Sequence, residues 1–188
     1  MKQIWKPGNM LYPLPAVLVT TRDREGKDNV LTVAWTGTIN SDPAMLSISV
    51  RKSRYSYQAL CDTGVFVVNL TTKKLAHAAD FCGVRSGRDM DKFKAENLTK
   101  EEAAEIDCPM ILESPVNIEC RVTEARDLGS HTMFLAEVLC VHADESCMDA
   151  SGRFDLALAQ PIGYCHGDYM TLGKKLGHFG WSVKRRRK

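Results

Sequence analysis

Arg51, Lys52, Ser53 and Arg54 sit where an alternating stretch, Met45 to Val50, gives way to a short helical pattern through Tyr57, Ala59 and Leu60. Basic and hydroxyl side chains between a strand and a helix start suit an anion. Free backbone N–H groups and the positive helix end favour a phosphate, and arginine can grip it with two parallel hydrogen bonds. The same four residues would equally make an ordinary solvated turn. Asn40 and Asn69 fall at strand ends, where an amide can donate to and accept from the edge of a heterocycle. Asn69 would also suit a satisfied turn before a helix. Trp35 interrupts a run of small residues and would either wall a pocket or pack in the core. Together these features point to a flat, phosphate-bearing ligand.

Other chemistry is missing from the pattern. There is no GxGxxG after a strand, no GxxxxGK[ST], no HExxH and no GxSxG. The five histidines, His77, His131, His142, His166 and His178, show no ligand spacing, and the seven cysteines form no CxxC pair, so no metal site is expected. An odd, scattered cysteine set, several within apolar runs, agrees with a reducing cytoplasm.

The elements that must position these residues read mainly as strands. Ala16 to Thr21 is a strand, and the polar turn Arg22 to Asp28 joins it to a single strand over Val30 to Thr38 that Asp42-Pro43 stops. Val65 to Leu70 is an apolar strand. Thr71-Thr72 reads as a cap for a helix over Leu75 to Phe81, and Thr99 to Ile106 as a second short helix. Val116 to Ala125 and Thr132 to Ala143 form a hairpin across Asp127 to His131, and Ile162 to Cys165 is a last short strand. Strands with short helices at this length favour a closed β-barrel, with a sandwich as the alternative. Strands and long helices do not alternate, which disfavours a doubly wound parallel sheet.

The 188 residues read as one domain, 44% hydrophobic and 26% charged. Five of the 25 basic residues lie in the terminal run Lys184–Lys188, read as a flexible tail, and the 23 acidic residues outnumber the remainder. Nucleic-acid binding by the body is therefore not expected. No segment reads as a signal peptide or a membrane span.

Several segments in order, Pro13–Thr21, Asn29–Trp35, Ser41–Pro43, Met45–Leu60, Phe66–Leu70, Ala78–Gly83, Ser86–Phe93 and Gly129–Leu139, resemble the flavin reductase-like, FMN-binding split-barrel family, above all its flavoredoxin-type members. The resemblance implies a six-stranded Greek-key barrel with short peripheral helices, a homodimer, and FMN held without a covalent bond. It puts Val33, Ala34, Trp35 and Thr36 against the flavin ring. Ser49, Arg51, Ser53 and Arg54 would face the ribityl chain and phosphate, and Asn69 and Leu70 the ring edge. Cys82, Gly83, Ser86 and Lys92 match a segment that reaches the flavin or its phosphate in relatives. His131 matches a histidine near the open flavin face and is the candidate catalytic residue. The implied activity is reduction of bound FMN by NADH or NADPH, with electrons passing to free flavin or another acceptor. An electron carrier served by a redox protein partner is the alternative, and a flavin- or haem-binding module a third reading.

Overall fold

The computed structural model describes residues 1–183, so the basic tail Lys184–Lys188 lies outside the described residues. The first strands are β1 (Leu14–Pro15), β2 (Val17–Arg22), β3 (Asp28–Val33), β4 (Thr36–Ser41) and β5 (Ala44–Val50), followed by helix α1 (Ser56–Thr63). Next come β6 (Val65–Asn69), α2 (Ala76–Val84), α3 (Lys92–Ala95), β7 (Lys100–Glu102) and β8 (Pro109–Ile111). The long strands β9 (Val116–Asp127) and β10 (Thr132–Ala143) and the small pair β11 (Ile162–Cys165) and β12 (Asp168–Thr171) complete the fold.

The main sheet has the order β3-β2-β6-β9-β10-β5-β4. Only Ala34 and Trp35 separate β3 from β4, yet these two segments lie at opposite ends of that order. One bent stretch of chain therefore supplies both edges and closes the sheet on itself, which removes exposed edges. Counted as one strand, β3 and β4 reduce the seven segments of the sheet to the six of a split barrel. The interruption at Ala34 and Trp35 corrects the unbroken strand expected over Val30 to Thr38. The bend is tied down where the Ser49 amide donates to the Trp35 carbonyl at 2.8 Å.

Alternation fills the barrel. Val17 and Val19, Leu31 and Val33, Leu46, Ile48 and Val50, Phe66 and Val68, and Phe134 and Ala136 point inward as one buried cluster. The opposite faces of β2 and β3 are covered too. Leu18 and Val30 pack against Leu75, Ala78 and Cys82 of the α2 region and Phe93 of α3. Burial on both faces suits the unbroken apolar start of β2, Val17 to Val19.

The helix expected over Thr99 to Ile106 is instead β7, paired antiparallel with β8. Thr72 makes no side-chain cap for the turn that leads into α2. The Thr71 hydroxyl instead donates to the Ala16 carbonyl. Among the described residues, no helix is long and apolar enough to cross a membrane.

Candidate functional site

A cavity of about 670 Å³ opens beside the bend. Its wall comes from β3 and Trp35, the end of β5, the turn into α1, the end of α2 with the loop after it, His131, and Tyr164 and Tyr169 of the small sheet.

One corner is strongly basic. The turn after β5 is tight, with the Arg54 amide donating to the Arg51 carbonyl and the Tyr57 amide to the Arg54 carbonyl, each at 3.0 Å. Arg54 reaches across to donate to the Gly83 carbonyl at 2.8 Å, and Arg88 donates back to the Ser53 carbonyl at 3.2 Å. These two bonds tie the turn to the loop after α2. Arg51, Arg54, Arg85 and Arg88 all line the cavity, as do Ser53 and Ser86. None of the four arginines pairs with a carboxylate among the described residues. Unneutralised cations converging on a cavity make an anion site. The start of α1 is held by its buried Ser56, which accepts from Thr21 at 2.8 Å and from Asn29 at 2.7 Å. Gly87 permits the close approach, because a Cβ there would lie 2.2 Å from Asn29 Oδ1 and 2.7 Å from a Tyr55 ring carbon.

The floor and the flat wall adjoin that corner. Buried Lys92 donates to the Val30 carbonyl at 2.7 Å and the Cys82 carbonyl at 2.9 Å. An ammonium has three donors, so one remains for the cavity that Lys92 lines. Burial lowers the Lys92 pKa. Burial also pushes the Cys82 thiol up to about 12, so it stays protonated at neutral pH and is no thiolate nucleophile. Val33 and Ala34 lead to Trp35, whose ring stacks on that of His131 with centroids 6.0 Å apart. Burial lowers the His131 pKa, and Arg51 and Arg54 lower it further, which favours the neutral imidazole. Ser130 Oγ lies 2.9 Å from its Nδ1.

The cavity thus gathers Val33, Ala34, Trp35, Ser49, Arg51, Ser53, Arg54, Cys82, Gly83, Ser86, Lys92 and His131, all singled out from sequence. Thr36, Asn40, Asn69 and Leu70, also singled out from sequence, do not line it. Thr36 lies past the bend, in β4. Asn40 donates to the Pro43 carbonyl at 2.8 Å within its own turn. Leu70 packs against the barrel core. Asn69 is fully buried; its amide donates to the Leu18 carbonyl at 2.9 Å and accepts from the Ile111 amide at 2.9 Å and from Asn117 at 2.7 Å. It therefore locks β2, β6, β8 and β9 together.

Sequence reasoning missed Tyr55, Arg85, Arg88, Tyr164 and Tyr169. Tyr55 carries a cation on its ring at two points, Lys27 at 4.7 Å and Arg88 at 5.7 Å. Burial raises the Tyr169 hydroxyl to about 12, leaving it a neutral donor.

Residues 10–173 match the model of the flavin reductase like domain. The chain belongs to this family. Among solved structures, flavoredoxin of Desulfovibrio vulgaris (Miyazaki F) superposes with a TM-score of 0.91 at 30% identity, over 98% of this chain and 100% of that one. Flavoredoxin from Methanosarcina acetivorans gives a TM-score of 0.87 at 27% identity, over 98% and 100%. An uncharacterized protein of Archaeoglobus fulgidus is 33% identical over 135 residues, covering 71% of this chain and 75% of that one. The split barrel closed by a bent strand is therefore the flavin reductase-like fold, and the basic cavity is its candidate site.

Proposed function

We propose that this cavity binds FMN and that the protein is an NAD(P)H-dependent flavin reductase. The observation that carries the reading is the pairing, in one cavity, of four lining arginines with a flat wall ending in Trp35 and His131. FMN has the matching shape, a doubly charged phosphate on a flexible arm and a planar ring. The donor set fits it: Arg51, Ser53, Arg54 and Ser86 would hold the phosphate, and Lys92 offers its remaining N–H nearby. Ser49, Val33 and Ala34 would lie along the arm and ring. Bound FMN supplies two-electron chemistry, taking electrons from NADH or NADPH and giving them to free flavin or another acceptor. This chain's own residues position the ring and keep water from one side of it. His131, its neutral form favoured beside the wall, would give or take a proton at a ring nitrogen.

The direct test mixes the purified protein with FMN and NADH or NADPH without oxygen and follows loss of the oxidised-flavin absorbance. Bleaching faster than in the protein-free mixture supports the reading. A rate equal to that control removes the reductase.

A second reading is favoured by the whole-length similarity to two flavoredoxins. In it the protein binds FMN but receives electrons from a redox protein. Failure with both nicotinamides, together with reduction by reduced ferredoxin, would select it. Both readings include a homodimer. Ile4, Trp5, Met10 and Leu11 near one end and Leu172, Leu176, Phe179 and Trp181 near the other are exposed apolar side chains that a second copy would cover.

A further inference from the structure

We propose that Glu119, Cys140 and His142 form a zinc-binding site on the outer face of the barrel. None of the three lines the basic cavity, so the site is independent of any flavin.

The β9–β10 ladder brings them together. Val138 pairs with Cys120, but the next pair is Cys140 with Glu119, so Leu139 is an extra residue in a bulge. Without that bulge Cys140 would face the barrel interior. With it, Cys140 stands directly across from Glu119, and His142, two residues on, shares the same face. One ligand atom from each of the three lies within 4.8 Å of the others.

The distances suit a tetrahedral ion. Cys140 Sγ and His142 Nε2 are 3.6 Å apart. Two ligand atoms held by one zinc, at roughly 2.3 Å for sulfur and 2.05 Å for nitrogen, would lie roughly 3.6 Å from each other. His142 Nε2 and Glu119 Oε1 are 2.6 Å apart and share a proton. An entering zinc takes that proton's place, the proton moving to Nδ1 or to solvent while the Cys140 thiol proton goes to solvent, and widens the gap by under ~1 Å. His142 has room for this, its side chain being 33% exposed, whereas that of Glu119 is fully buried. The Ala104 and Glu105 amides, each donating at 2.8 Å, hold the Glu119 carboxylate in place. Such outer donors orient metal ligands. A thiolate, an imidazole and a carboxylate together favour zinc over magnesium or calcium, and three protein ligands leave a fourth position for water.

The test adds cobalt(II), then zinc, to the protein as purified, with any flavin it carries. One equivalent of cobalt is expected to give tetrahedral thiolate–cobalt bands beyond the flavin absorbance, and one equivalent of zinc to abolish them. Cys140→Ser should lose the bands, and Cys140→Ser and His142→Gln should each weaken zinc affinity at least tenfold in competition with a chromophoric chelator. Cys61→Ser should change neither. Circular dichroism of each variant confirms that it is folded. A wild-type protein that takes no zinc from the chelator overturns the site and leaves a hydrogen-bonded Glu119–His142 pair. So does a Cys140→Ser variant that binds both metals as the wild type does.

Discussion

Trp35 and His131 lie nearly parallel, their planes inclined by 18°. They come from distant parts of the chain, Trp35 from the bend between β3 and β4, His131 from the turn between β9 and β10. The closing bend of the barrel therefore also builds one wall of the cavity.

The electrostatics of His131 give the first prediction. Burial and the guanidiniums of Arg51 and Arg54 hold its pKa below the ordinary value. A phosphate bound at those arginines would offset their charge and raise the His131 pKa. A ligand that raises a pKa binds more tightly as pH falls through it. NMR titration of the His131 ring protons should show a higher midpoint with FMN than without. An unchanged midpoint would separate His131 from the anion corner.

Removing the grip on the phosphate is the second. Arg51→Ala with Arg54→Ala should weaken FMN binding more than tenfold, which is above about 1.4 kcal/mol. Arg54 also ties the turn to Gly83, so part of the loss would come from a looser corner. Fluorescence titration reads the affinity, and equal values for variant and wild type would refute the assignment.

Asn69 separates a structural role from a ligand role. Asn69→Leu strands the Ile111 amide inside the protein and removes one of the two acceptors of the Asn117 amide, which keeps the Ile111 carbonyl. It should cost about 3 kcal/mol in urea unfolding, while the folded fraction binds FMN within about twofold of wild type. Unchanged stability with lost FMN affinity would restore Asn69 to the ring edge.

Asp28 should govern acid stability. Burial alone would raise its pKa, but hydrogen bonds from Arg22 and Lys100 more than offset this and leave it lowered. Its contribution is then present above the ordinary carboxylate value and is lost as pH falls below that value through the lowered one. Asp28→Asn should cost about 2 kcal/mol at neutral pH, since Arg22 keeps Glu102 and Asp107. The same variant should flatten the acid limb of a stability–pH curve. A variant curve parallel to wild type at low pH would contradict this.

Much of the fold was legible because alternation and turn chemistry act locally. The β2–β3 and β9–β10 hairpins, β5 and α1 all follow from short windows of sequence. The break at Ala34–Trp35 was not, because Val30 to Thr38 contains no residue that forces a stop; closure of the barrel imposes it. Residues 99–106 carry alanines and glutamates that favour helix, but pairing of Lys100–Glu102 with Pro109–Ile111 overrides that preference. At the site, the Arg51–Arg54 turn was readable as a cluster. Tyr164 and Tyr169 reach the cavity from a far part of the chain, and no local pattern marks them. Cys140 and His142 were passed over because a strand sets ligands two residues apart, and because the bulge that aligns them with Glu119 belongs to the ladder.

The double duty of residues 28–41 has a consequence for engineering. A circular permutant whose new ends fall between Ala34 and Trp35 would release both margins of the sheet together, inviting strand exchange between molecules. One opened at the exposed Arg24–Gly26 turn would leave the ring of strands unbroken.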